Sequence, residues 1–122
     1  MEITVIHNRG VKVARVKSDQ DIFQGVGEAL DLMASVRYET TCDRMIVDAS
    51  AIDPRFFDLS STLAGDILQK FVNYSMKLAI VGDFSQFTSS SLRDFIYESN
   101  RGDHVLFLAD HNEAIDRLTR IR

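Results

Sequence analysis

Tryptophan is absent from these 122 residues, and cysteine and proline occur once each. A lone thiol, Cys42, excludes an internal disulfide, and no thiols or histidines at metal-ligand spacing surround it. That usage suits a reducing cytoplasm, the location expected for the chain. No apolar run approaches the ~20 residues of a bilayer-spanning helix, and Glu2-Ile3-Thr4-Val5-Ile6 opens as a strand rather than as a signal peptide. Neither membrane insertion nor export is expected. A concentrated basic surface is also missing, for the net charge is -4 and the only basic cluster is Arg117, Arg120 and Arg122. Cations there complement the carbonyl end of a last helix, so no nucleic-acid partner is expected. Without repeats, low-complexity tracts or linkers, residues 1–122 read as one α/β domain.

Three apolar runs are present instead: Met45-Ile46-Val47, Leu78-Ala79-Ile80-Val81 and Val105-Leu106-Phe107-Leu108-Ala109. Each stops at or one residue short of an aspartate, respectively Asp48, Asp83 and Asp110. Continuous aliphatic runs alternating with helical patterns are what a parallel sheet under crossover helices requires. Ligands and switches in such sheets sit at the carboxyl ends of the strands. Ahead of them, Glu2 to Ile6 and Val11 to Val16 predict an antiparallel hairpin around His7-Asn8-Arg9-Gly10. From Asp19 onward the spacing of Ile22, Val26, Ala29, Leu30, Met33 and Val36 predicts a helix capped by Ser18 or Asp19. An irregular stretch from Ala49 to Leu59 holds Pro54, and a helix is expected from about Ser61 to Tyr74. Ser91 with Asp94 resembles a capping box for the next helix, which Gly102 should end in a left-handed cap. Asp110 and Glu113 predict the cap of the last. The order is ββαβαβαβα, a mixed five-stranded sheet.

This order, with a strand ending in Val47-Asp48-Ala49-Ser50, a polar loop and a helix opening at serines, resembles the STAS domain, the anti-sigma-factor antagonist and sulfate-transporter domain. More narrowly, Phe56-Phe57-Asp58-Leu59, the stretch from Leu63 to Phe71 and that from Lys77 to Gly102 look like a small bacterial family catalogued as domain of unknown function 4180. Its most specific stretch here is Ser91-Leu92-Arg93-Asp94-Phe95-Ile96-Tyr97-Glu98-Ser99-Asn100. The narrow resemblance implies no activity. The broad one implies a STAS-like fold and a serine whose phosphorylation breaks a protein complex. The nearest match to that motif is Asp58-Leu59-Ser60-Ser61-Thr62, in which a leucine separates the aspartate from the serines and the motif glycine is missing. A phosphate adds roughly 1.5 to 2 negative charges, which free amides at a helix N-terminus can receive. The plainer role of Ser60 or Ser61 is an N-cap.

Asp48, Asp83 and Asp110 are a second group, because carboxylates on neighbouring strand ends can share a hard cation such as Mg2+. Caps and turns account equally for Asp110 and Asp83. Arg55 and Arg93 could neutralise an anionic ligand as forked donors, or stand solvated on the surface. Phe84 and Phe87, set among polar residues, either join the core or anchor a partner. His7, His104 and His111 are scattered, and no nucleophile is visibly paired with them. Gly25-Val26-Gly27 falls inside the helical pattern, where it reads as close helix packing rather than as a dinucleotide fingerprint. Arg101-Gly102-Asp103 reads as a helix stop.

No catalytic signature emerges, and a non-enzymatic regulatory protein-interaction module is the expected function, with an unidentified protein as partner and no resident cofactor. The alternatives are a small-anion or metabolite sensor using Arg55 and Arg93, and a metal-assisted hydrolase built on the three aspartates. Homodimer formation is open to either the edge of the hairpin or a helix face.

Overall fold

In the computed structural model, which describes residues 1–121, the aliphatic runs form the last three strands of a five-stranded sheet in the order β1-β2-β3-β4-β5. β1 (Glu2–Asn8) and β2 (Val11–Lys17) are the antiparallel hairpin. β2, β3 (Arg44–Asp48), β4 (Lys77–Val81) and β5 (Val105–Leu108) run parallel. Helices α1 (Val26–Thr40), α2 (Leu63–Asn73), α3 (Ser90–Arg101) and α4 (His111–Arg120) follow β2, β3, β4 and β5 in turn. Arg122, counted in the basic cluster above, lies outside the described residues. No helix is long and apolar enough to cross a membrane among the described residues.

Alternation along each parallel strand sorts its side chains between two cores. Ala14, Met45, Leu78, Ile80 and Phe107 face α1, α2 and α3, whereas Val13, Ile46, Ala79, Leu106 and Leu108 face α4 with its Ala114 and Leu118. Burial on both faces is why these strands read as unbroken apolar runs. α4 alone covers the second face, and it is pinned at its end by Arg44. Arg44 is only 5% exposed; its guanidinium donates to the Leu118 and Ile121 carbonyls at 2.5 and 2.7 Å and pairs with Asp43 at 2.8 Å. From the hairpin turn, Arg9 pairs with Asp116 at 2.8 Å. The Arg44 and Arg9 guanidinia hold the Asp43 and Asp116 carboxyls below their usual range.

All eight phenylalanines form one connected chain of rings. It runs Phe71, Phe23, Phe56, Phe57, then Phe84 and Phe87, then Phe107 and Phe95, with centroids 5.2 to 6.4 Å apart. Such contacts contribute roughly 0.5–1.5 kcal/mol each beyond area burial. The three tyrosines, Tyr38, Tyr74 and Tyr97, are exposed on or just beyond α1, α2 and α3.

Several local expectations are corrected. α1 begins at Val26 rather than near Asp19, because Ile22 leaves the helix to bridge Ile52, its N–H donating to Ala51 O at 2.8 Å. Ser18 bonds only around Gln20, and Gly25, without a side-chain cap, opens the helix. A Cβ on Gly25 or Gly27 would meet nothing within 4 Å, so neither serves close packing. α3 is capped by Ser89, which accepts from Leu92 N at 3.2 Å, not by Ser91. Gly102 has φ -90° and is not a left-handed cap. Asn100 does the fastening there: its amide donates to Phe107 O at 2.9 Å and accepts from Phe107 N at 2.7 Å. At the hairpin turn the positive φ values belong to Arg9 and Gly10, while Asn8 stays in the strand.

Candidate functional site

Beyond the carboxyl ends of β3 and β4 the chain leaves a cleft of about 460 Å³. Its walls are Ile52, Pro54, Phe57, Val81 and Phe87, with Asp48, Ser50, Asp83 and Gln86 as the polar side chains. An apolar concavity with a few polar groups, at the carboxyl ends of parallel strands, is the usual form of a binding site. The two loops meet at Gly82, where an added Cβ would come within 2.7 Å of Ala49 Cβ. Only a residue without a side chain lets the β3 and β4 loops approach so closely.

Asp83 opens a short 3-10 turn, Phe84–Gln86, by accepting from Ser85 N at 3.1 Å and Ser85 Oγ at 2.5 Å. These bonds favour the carboxylate and hold its pKa below the usual range. The turn swings Phe87 onto Phe57, the rings stacking at 5.2 Å, while Phe84 sits edge-on to Phe107 at 5.5 Å. Both phenylalanines are half-buried, and Phe84 packs against the main core while Phe87 lines the cleft. Asp48 lies 2.8 Å from His111 Nε2, though the contact lacks hydrogen-bond alignment. Asp110 accepts from Glu113 N at 2.8 Å and caps α4.

Asp48 and Asp83 thus share the cleft and Asp110 is not among its lining residues. No group of three or more His, Cys, Asp or Glu able to hold a metal ion exists among the described residues. Of the three aspartates weighed from the sequence as a cation site, Asp48 and Asp83 lie together and Asp110 takes the capping role that is its alternative.

Arg55 is tied up as well. Its guanidinium pairs with Asp53 at 2.9 Å and donates to Gln24 O at 3.1 Å, while Asp53 also caps the 3-10 turn Pro54–Phe57 by accepting from Arg55 N. The pairing lowers the Asp53 pKa and raises that of Arg55. Arg93 is exposed on α3, and neither arginine lines the cleft. Carboxylates, not guanidinia, face that space.

Immediately after Phe57 comes a second 3-10 turn, Leu59–Ser61, with Ser60 and Ser61 exposed. Asp58 accepts from Ser60 N at 3.1 Å and from Ser60 Oγ at 2.7 Å. Ser61 Oγ lies 2.8 Å from Arg55 O and 2.7 Å from Asp58 O, and accepts from Leu63 N at 3.3 Å. Neither serine is the N-cap of α2. That position belongs to Thr62, a β-branched residue at φ 61° whose side chain makes no cap bond. Asp53, Gly82 and His111 were not singled out as site-building residues from the sequence. Asp53 directly before proline is a readable helix-opening signal, whereas the meetings of Gly82 with Ala49 and His111 with Asp48 leave no local trace.

No curated protein and no solved structure matches the chain. The family model described as Domain of unknown function (DUF4180) matches residues 8–118. That span runs from the last residue of β1 into α4 and takes in the cleft and the serine turn, so the chain belongs to this family, as the stretches around Phe56 and Ser91 indicated.

Proposed function

We propose that the chain is a non-enzymatic, STAS-like regulatory module of the cytoplasm that binds a protein partner along the carboxyl edge of its sheet. The observation carrying this reading is the junction of the cleft with the exposed Asp58–Ser61 turn, since Phe57 walls the one and leads directly into the other. A partner side chain entering the cleft along the stacked Phe57 and Phe87 rings would meet the carboxylates of Asp48 and Asp83, so a lysine or arginine fits best.

Phosphorylation would act here by disruption. The Ser60 hydroxyl donates to Asp58, and an ester at that oxygen removes the proton and sets roughly 1.5 to 2 negative charges against the carboxylate. At Ser61 the modified oxygen would face the Arg55 and Asp58 carbonyls, which accept and cannot donate. Either change loosens the turn behind Phe57 and reshapes the cleft wall. Thr62, held in the left-handed region next to the serines, adds strain of the kind found at switch segments.

The test is affinity recovery from host lysate with quantitative mass spectrometry. A protein retained by the wild-type chain should be lost with Ser61→Asp and with Asp83→Lys, and kept with Tyr38→Ala, a change on the exposed α1 surface. Equal recovery by all four proteins would refute the assignment of this edge.

A further inference from the structure

We propose that the free edge of β1 is a homodimer interface, at which two copies pair β1 with β1 antiparallel about Val5 and join their sheets into one. The two edges of the sheet are treated very differently. On β5 the outward N–H and C=O of Phe107 are both taken by the Asn100 side chain, which closes that edge to another strand. Among the described residues β1 has no such cover.

The hairpin register shows which groups are open. Its two-residue turn, Arg9-Gly10, closes on the Asn8–Val11 pair, and alternation in an antiparallel ladder then directs the backbones of Glu2, Thr4, Ile6 and Asn8 toward β2. The N–H and C=O groups of Ile3, Val5 and His7 point outward. Edge protection is slight: β1 contains no proline and no lysine, its one formal charge is Glu2 at its very start, and its seven pairs with β2 run without a bulge. Beside this edge lies a groove of about 410 Å³ lined by Met1, Ile3, Val5, Ser35, Glu39 and Thr40. A docked strand would turn its alternate side chains into such a groove while its backbone bonds to the edge.

A second copy of this chain is the occupant the strand itself specifies. With Val5 opposite Val5, the two strands set Ile3 against His7, Thr4 against Ile6 and Glu2 against Asn8. All open groups of both strands then bond, giving about six inter-chain hydrogen bonds. No like charges stand opposite each other. The neighbouring register, centred on Thr4, sets the Glu2 carboxylate against Ile6 and leaves Asn8 unpaired. At each end of the preferred ladder Glu2 also approaches the basic turn residue Arg9 of the other copy.

Sedimentation equilibrium on the intact chain tests this, combined with residue-resolved amide exchange. The mass should rise with concentration from 13.8 kDa toward twice that value. The Ile3, Val5 and His7 amides should gain protection over the same range, while those of Thr4 and Ile6 stay protected throughout. Val5→Pro removes an outward donor at a position where an edge strand tolerates proline, and should leave a folded monomer. A constant monomer mass with free exchange at the three amides overturns the proposal. So does a dimer in which those amides still exchange freely, because another surface would then be responsible.

Discussion

Thr62 concentrates the local conflict at the start of α2. A β-branched residue at φ 61° costs roughly 1–2 kcal/mol relative to an unstrained backbone, and its hydroxyl recovers little, lying 3.4 Å from Asp66 Oδ2. Thr62→Gly should therefore raise stability by up to about 1 kcal/mol, the remainder being offset by glycine's greater freedom in the unfolded chain. Urea denaturation measures this, and a lower midpoint would mean that Thr62 makes a contact worth more than its strain. Single residues of this kind were poorly legible in the sequence. Asp110 could be read as a cap because a glutamate follows three positions on and an apolar pattern begins at once. Among Ser89, Ser90 and Ser91 no such signal distinguishes the residue that caps.

At the level of elements, two glycines make opposite predictions. Gly82 sits where the β3 and β4 loops nearly touch, so Gly82→Ala forces the Ala49 backbone away and should cost about 1–3 kcal/mol. Gly65, in the first turn of α2, has open space around its missing Cβ, and Gly65→Ala should stabilise by about 0.5–1 kcal/mol. Thermal unfolding of the two variants should move in opposite directions, and equal shifts would contradict the close approach at the cleft floor. The strands themselves were legible because burial on both faces forces continuous apolar composition. The start of α1 was not, since Ile22 keeps the helical spacing of Val26 and Ala29 while its backbone pairs with the Ala51–Asp53 segment. Periodicity reports which residues are buried, and Ile22 is buried without being helical. Asp48 and Asp83, both at strand ends, line one cleft, whereas Asp110 takes the helix cap that its spacing from Glu113 predicts.

The whole molecule is lopsided, with three helices on one face of the sheet and α4 alone on the other. Beside the apolar packing of Ala114 and Leu118, α4 is held by two guanidinium groups: Arg44 and Arg9 grip its C-terminal half, and each is oriented by a carboxylate of depressed pKa, Asp43 and Asp116. A carboxyl whose folded pKa lies below its unfolded value contributes stability above about pH 4, and that contribution is lost as pH falls through the folded value. Acidification should therefore release α4 first. In pulsed amide exchange between about pH 4 and pH 2, α4 should lose protection before α1 and α2; simultaneous loss would show that the molecule opens as one unit. The placement of the aromatic residues sets how such changes can be watched. With no indole, its phenols in water and its phenyl rings buried or half-buried against one another, the molecule carries its strongest emitters on its skin. Ultraviolet fluorescence will accordingly report what touches the helical surface, and the interior will be visible chiefly through the weak circular dichroism of phenylalanine.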